Sequence, residues 1–357
     1  MRIYASGGML SRFKDTIAYI VAAMALVLTS VPGVSAVDPT TINWQRDLGV
    51  ATQYGCEWTY GVDKVAGGNL YVGGTAKVYI YDASGNYVSS FGSVGTGNAQ
   101  FVGRVEGIAT LPGGDVLVAN NNRVQRFSST GTYISQWGSP GSGNGQFSFP
   151  SDIATDSSGN IYVADSTNHR VQKFDSTGTF ITAWGSFGTA NGAFNSLRGI
   201  TVDAAGNVYV ADSSNQRIQK FTNTGTFIAK FGTLGSGPGQ LNHPRDVTVT
   251  PGGQVYVTDS LNNRLSVFDT SGNYVAQFGS FGGETNELSQ PAGIAADATT
   301  GLVYVADTQN SRVQVYSTNP TTHNSTISLR DVQTHVPQQT LLRLQMGVYM
   351  SPALMHL

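Results

Sequence analysis

The stretch Gly159–Gly178, GNIYVADSTNHRVQKFDSTG, decides the fold. Two short apolar runs, Ile161-Tyr162-Val163 and Val171 to Phe174, flank a polar turn bracketed by Asp165 and Arg170. β-branched and aromatic runs of this length between clusters of Gly, Asn, Asp and Ser predict a hairpin. The same sentence returns as GNVYVADSSNQRIQKFTNTG from Gly206, GQVYVTDSLNNRLSVFDTSG from Gly253 and GLVYVADTQNSRVQVYSTNP from Gly301. Degraded copies lie upstream at Gly114 and Gly68.

Aligned on the basic residue after the turn, the copies place Lys77, Arg123, Arg170, Arg217, Arg264 and Arg312 at steps of 46, 47, 47, 47 and 48 residues. A near-constant period in this range is the mark of a repeat architecture. Each period reads as four strands. In the unit from Phe147 they are Asp152–Thr155, the two runs of the hairpin, and Thr179–Trp184. Turns at Asp156–Asn160 and Asp175–Gly178 separate them, Gly178 supplying a left-handed conformation. Residues 185–192 cross to the next unit. Six such units predict an all-β, six-bladed β-propeller of four-stranded antiparallel blades. The competing solenoid needs atypical polar repeats at its ends. Ring closure has its own signal: the sixth repeat stops at Tyr316 with three strands, while Ile42–Gly49 precedes the first repeat and has no blade. This run matches a fourth strand such as Tyr133–Gly138, with Leu48-Gly49 in the Trp-Gly place, so it is expected to complete the last blade and remove the open edge.

The repeats resemble the NHL family of β-propellers. The residues that carry the resemblance are Pro150 with Ile153-Ala154, Gly159 to Asp165, the triplet Asn168-His169-Arg170, Phe174, Gly178 and Trp184-Gly185. The triplet recurs as Asn215-Gln216-Arg217, Asn262-Asn263-Arg264 and Asn310-Ser311-Arg312. The resemblance spans residues 42–316, and it implies the propeller fold. The first two repeats depart from it: they are two residues shorter across the turn, and Gly74 or Asn120 replaces the Asp, so their turns are expected to differ.

Composition bounds the rest. The chain has 357 residues, 40% apolar and only 12% charged, with 44 glycines, which suits many turns between short strands. Net charge is −2, and residues 1–36 contribute +2 through Arg2, Arg12 and Lys14 against Asp15, leaving −4 for the remainder. That balance argues against nucleic acid as a partner, which requires a positive field. The lone Cys56 excludes an internal disulfide. Basic Arg12 and Lys14, the apolar run Ile17–Val31, Pro32-Gly33 and the small residues around Ala36 form the three parts of a secretory signal peptide over residues 1–36. An uncleaved anchor or a core helix is the alternative, although the run is short for a span and no globular pattern surrounds it. A secreted or cell-surface propeller over residues 42–318 follows, monomeric and without a membrane span once the signal is removed. Residues 319–357, where methionines replace the glycine-rich pattern, are expected to be a flexible tail.

The Asp/Arg pairs of the turn, Asp165/Arg170 and its three copies, have the composition of a catalytic site. Their recurrence once per blade marks them as a turn lock instead, because a catalytic site needs distinct residues converging once. The turns opened by Asp82, Asp156, Asp175, Asp203 and Asp269 lack the further acids of a calcium loop. Function is sought where the repeats differ. Counting back two residues from Val62, Ile108, Ile153, Ile200, Val247 and Ile294 gives Tyr60, Glu106, Ser151, Arg198, Arg245 and Ala292. Two residues earlier stand Trp58, Arg104, Phe149, Ser196, His243 and Gln290, and Asp152 and Asp246 replace glycine just after the variable ring. Trp58, Tyr60, Arg104, Glu106, Asp152, Arg198, His243, Arg245 and Asp246 are therefore the candidate ligand-binding residues, rimming one channel mouth. No catalytic residue, metal ligand or cofactor is assigned. The propeller region holds only two histidines, His169 and His243, against the three protein ligands of a catalytic zinc. The reading is a scaffold for a protein, small-molecule or glycan ligand; the alternative is a lyase or hydrolase at the mouth, with or without a metal.

Overall fold

A computed structural model describes residues 43–49 and 59–317. The expected signal segment, Trp58 and the tail from 319 lie outside these residues. Six four-stranded antiparallel sheets follow one another. Blade I runs from Val62 to Phe91, II from Gly107 to Trp137, III from Pro150 to Trp184, IV from Leu197 to Phe231 and V from Pro244 to Phe278. Blade VI takes Ile294–Ala296, Leu302–Asp307 and Arg312–Ser317, with Asn43–Gly49 as its fourth strand. The first strands of consecutive blades lie side by side all the way round, including VI against I, so they line a central channel. Among the described residues the only helical elements are three short 3-10 turns.

Burial explains the sequence pattern. The second strand of a blade is covered on both faces by its neighbours, so Ile161–Asp165 is buried at every position and reads as a continuous run rather than an alternation. The core is accordingly divided into six clusters, one in each gap between blades. In the gap between II and III, Val124 and Leu117 meet Phe147, Ile153, Val163 and Phe174. Trp137, Phe147 and Phe180 surround Phe174 with ring centroids 6.1, 5.7 and 6.0 Å away. Gly178 shows why its place requires glycine: its φ is +89°, and a Cβ there would stand 2.7 Å from the Trp137 ring of the preceding blade.

The ring closes as the sequence predicts. Asn43–Gly49 pairs antiparallel with the last strand, and Leu48 faces Val313 as Trp137 faces Val124 in blade II. The seam between VI and I has a full core cluster, Val62, Val72 and Tyr79 against Tyr304, Val313 and Val315. It also holds an ion pair that no other gap repeats among the described residues. Lys64 Nζ lies 3.2 Å from Asp297 Oδ2, both side chains essentially inaccessible, and it donates to the carbonyls of Val65 and Gly68.

A chain lacking the N-terminal strand leaves the last strand of blade VI as an open edge. Its melting midpoint is expected to fall by more than about 5 °C, with concentration-dependent aggregation by light scattering. An unchanged midpoint and a monodisperse product would exclude the closure role.

Candidate functional site at the channel mouth

The polar turn residues that crowd the opening stretch form a structural hub. Asp165 Oδ2 accepts from Asn168 Nδ2, Arg170 Nε and Gln172 Nε2 at 2.9, 2.8 and 3.1 Å, and its Oδ1 accepts the Ser148 N–H at 2.7 Å. The guanidinium of Arg170 then donates to the carbonyls of Ser142, Gly143 and Gln146 in the crossing loop. Asp212, Asp259 and Asp307 repeat the arrangement, and all four carboxylates are fully buried. Both oxygens of each carboxylate are engaged in holding the turn, third strand and crossing loop together, and neither is open to a substrate. His169 belongs to the same frame. Its Nδ1 accepts the Ser196 N–H of the next blade, the place taken elsewhere by Asn122, Gln216 and Asn263.

Blades I and II depart from this turn, as their shorter spacing predicts. Blade II has a tight hairpin with Asn121 and Asn122 both at positive φ, while blades IV to VI use a 3-10 turn. Asn120 stands in for the Asp and bonds Val102 and the Arg104 carbonyl. The turn aspartates of the opposite face are likewise satisfied locally. Asp156 takes the N–H groups of Ser158 and Asn160, the Asn160 amide and the Tyr162 hydroxyl.

The variable ring converges at the start of the first strands. Glu106 in blade II reaches across the channel to Arg198 of blade IV and Arg245 of blade V, at 3.3 and 3.1 Å. Tyr60, Ser151 and Ala292 complete the ring around a recess of only about 30 Å³. Ser151 is buried and donates to the Arg198 carbonyl, fixing the blade that carries that arginine. Arg104 joins from one side, its guanidinium 4.9 Å above the Tyr60 ring, and Arg198 lies 5.5 Å over the exposed ring of Phe149. The Arg198 Nε–H has no hydrogen-bond partner. Burial pulls Arg245 below the usual guanidinium range, and Glu106 pulls it back. Two arginines thus share one carboxylate at the mouth, and a third stands beside them on Tyr60.

One layer deeper, Asp152 and Asp246 stand where other blades have Gly61, Gly107, Gly199 and Gly293. The inner strands crowd here: a Cβ on Gly199 would fall 2.1 Å from Asp246 Oδ1. Asp152 Oδ2 accepts the Ile200 N–H of the next blade, and Asp246 Oδ2 accepts that of Ile294, both at 2.8 Å. The two carboxyl groups also bond to each other. Burial raises both; Asp246 is pushed up to about 7, and Asp152 well above its usual value with the Asp246 charge as second cause. Below this pair the channel widens to about 580 Å³, walled by Ile153, Ile200, Val247 and Ile294 and opening on the opposite face.

Of the candidates, Tyr60, Glu106, Arg198, Arg245, Asp152 and Asp246 come together, and Arg104 joins through Tyr60. Trp58 lies outside the described residues. Arg104 does not occupy the place of Phe149: Gly103 takes the positive φ there, because blade II has one extra residue between Phe101 and Ile108. His243 sits outward on the rim, its Nδ1 bonded to the Ser213 hydroxyl. Burial and the charges of Arg198 and Arg245 lower its pKa, so it is a neutral imidazole at neutral pH. Among the described residues no three His, Cys, Asp or Glu side chains are placed to hold a metal. Counting from the strand did not single out Phe149 or the wide lower channel. Phe149 was legible as the one aromatic at its aligned position among the complete repeats.

The NHL repeat model matches residues 147–174, 194–221, 241–268 and 288–316. Solved structures share the fold. A streptogramin B lyase is 14% identical, with 79% of this chain and 99% of that one covered and a TM-score of 0.54. A catalytically inactive virginiamycin B lyase from Staphylococcus aureus with quinupristin is 16% identical over 78% of this chain and 99% of that one, TM-score 0.52. A protein of unknown function from Bacteroides thetaiotaomicron is 16% identical over 77% and 75%, TM-score 0.56. Identities this low speak for the fold alone. No curated protein matches the sequence.

The carboxyl pair sets a pH dependence. The unfolded chain releases the Asp246 proton near its ordinary value of 3.8, whereas the folded protein keeps it up to about 7. The folded state therefore binds more protons in this window, and stability falls as pH rises from about 4 to about 7, by up to about 1.4 kcal/mol per unit. Denaturant titrations across this range are expected to show the slope, and Asp246→Asn to flatten it. An equal slope in the variant would show that the pair does not share a proton.

Proposed function

We propose that this β-propeller, with its four matched NHL repeats, is a binding scaffold working outside the membrane, whose partner presents an anionic group to the channel mouth. The pairing of Arg198 and Arg245 with the single Glu106, beside Arg104 on Tyr60, carries this reading. Two positive charges are left over at the mouth of a protein that is otherwise mildly acidic, and the Arg198 Nε–H is unsatisfied. Guanidinium groups recognise carboxylate, sulfate and phosphate through charge-assisted bonds. Glu106 holds the arginines in place without a partner and competes with one that arrives. The recess is too small to enclose a ligand, so the anion is met at the surface, which suits a partner larger than the site.

A lyase or hydrolase at the mouth is the second reading, favoured by one observation: Asp246 titrates near neutrality, where a general acid or base is most effective. Against it, the oxygens of Asp152 and Asp246 are committed to the N–H groups of Ile200, Val247 and Ile294.

Retention on a dextran sulfate column, with neutral dextran as control, tests the binding reading. One charge-assisted contact is worth about 1.5 kcal/mol or more, so Arg198→Ala is expected to weaken binding about tenfold. Glu106→Gln, which frees both arginines, is expected to strengthen it. A structural role alone would not move the two variants in opposite directions, and retention unchanged in both would remove the mouth as the site.

A further inference from the structure

The crossing loops carry a feature that the mouth does not use. Each of the five described ones leaves the fourth strand through a glycine, and two residues later presents one apolar side chain to solvent. Val94, Phe187, Leu234 and Phe281 are 78, 69, 66 and 72% exposed; Pro140 holds the same place between blades II and III. The positions are equivalent in structure as well as in sequence. Each makes a parallel bridge to the residue seven further on, Val94 to Phe101, Phe187 to Phe194, Leu234 to Leu241 and Phe281 to Leu288. Side chains related in this way by the turn of a propeller stand on a circle at one height. The loops lead into the first strands, so the circle surrounds the arginine mouth and shares its face.

These side chains are held in place. The guanidinium of Arg217 grips the carbonyls of Thr189, Ala190 and Ala193 behind Phe187, and Arg264 grips Ser236, Gly237 and Gln240 behind Leu234. Arg312 holds Glu284 and Glu287 behind Phe281. Large apolar side chains kept rigid in water on one face of a disc signal an interaction surface. Its geometry selects the partner. Single prongs separated by a whole blade form no groove and no continuous patch, and a globular protein would need a matching pocket for each. A planar apolar medium under a polar surface accepts them all at once. Charge favours this orientation: the mouth inside the circle holds Arg104, Arg198 and Arg245 against Glu106, with Glu284 and Glu287 of one crossing loop the further acids on this face. The opposite face carries the partly exposed turn aspartates Asp82, Asp156, Asp175, Asp203 and Asp269.

We propose that this face docks on an anionic lipid bilayer, with Val94, Phe187, Leu234 and Phe281 entering the boundary between headgroups and acyl chains and the mouth arginines facing lipid phosphates. The proposal deepens the reading of the mouth as an anion site and rests on it for its charge term. The apolar term is independent of it. Shallow insertion of a few large side chains combined with basic groups is a sufficient pair of signals for reversible membrane binding.

Sedimentation of the purified full chain with vesicles tests it, comparing phosphatidylcholine alone with phosphatidylcholine containing about a third phosphatidylglycerol. The protein is expected to partition onto the anionic vesicles and to be released by salt as screening grows. The triple variant Phe187→Ser/Leu234→Ser/Phe281→Ser is expected to lower that partition by at least about 100-fold and to keep the same melting midpoint, because the three side chains support no core. Equal sedimentation of the triple variant, or no sedimentation of the unaltered chain, overturns the proposal. If dextran sulfate retention still depends on Arg198 while vesicles are ignored, the anion site stands and the bilayer as its partner fails.

Discussion

A fully buried carboxylate at the end of the second strand holds each complete repeat together. Taking a charge out of water is costly unless its lone pairs are met by donors, and here they are. Asp212 receives Asn195 N–H, Asn215 Nδ2, Arg217 Nε and Gln219 Nε2 at once. Its arginine partner is satisfied in turn by three carbonyls of the preceding crossing loop. One ion pair therefore fixes a turn, a strand and the link between two blades. Four copies of the hub make blades III to VI uniform. Blades I and II do without the acid, and the ring is completed there by the shared fourth strand and the Lys64–Asp297 pair at the seam.

Because the hub is rigid and repeated, it frees other positions from structural duty. The starts of the first strands crowd around the axis, and most blades meet that crowding with glycine. Blades III and V place Asp152 and Asp246 there instead, and burial raises both carboxyl groups toward the protonated form, in which they coexist where two charges would repel. Above them the blades differ freely, and the differences add up to a Glu–Arg bridge thrown across the channel. The channel is thereby divided into a shallow cationic mouth on one face and a wide well of mixed polar and apolar lining on the other.

Much of this was legible in the sequence because it is written several times. The hairpin, its Asp/Arg lock, the left-handed glycine and the surplus N-terminal strand all follow from one repeated sentence, and the register of Leu48 opposite Val313 confirms the bookkeeping of strands. The members of the mouth were legible as the positions that refuse to repeat. What spacing does not contain is reach. That Glu106 would meet residues two and three blades away depends on side chains crossing a channel, and no periodicity encodes that. The displacement of Arg104 was encoded, since seven steps separate Phe101 from Ile108 and six separate Phe147 from Ile153, but counting back from the strand hides the inserted residue. Lys64 and Asp297 meet only once, at the seam, so repetition could not reveal them. The apolar loop residues vary among Val, Pro, Phe, Leu and Phe, and their exposure is a property of the loop's fold rather than of their identity.

Repeated residues hold the fold, and unrepeated ones act. Denaturant unfolding of Asp212→Ala beside Arg198→Ala tests that division most directly. Removing the carboxylate strands a buried guanidinium and is expected to cost about 3–5 kcal/mol, whereas Arg198→Ala, at the partly exposed mouth, is expected to cost less than about 1 kcal/mol. A mild effect of Asp212→Ala together with a large one of Arg198→Ala would contradict it.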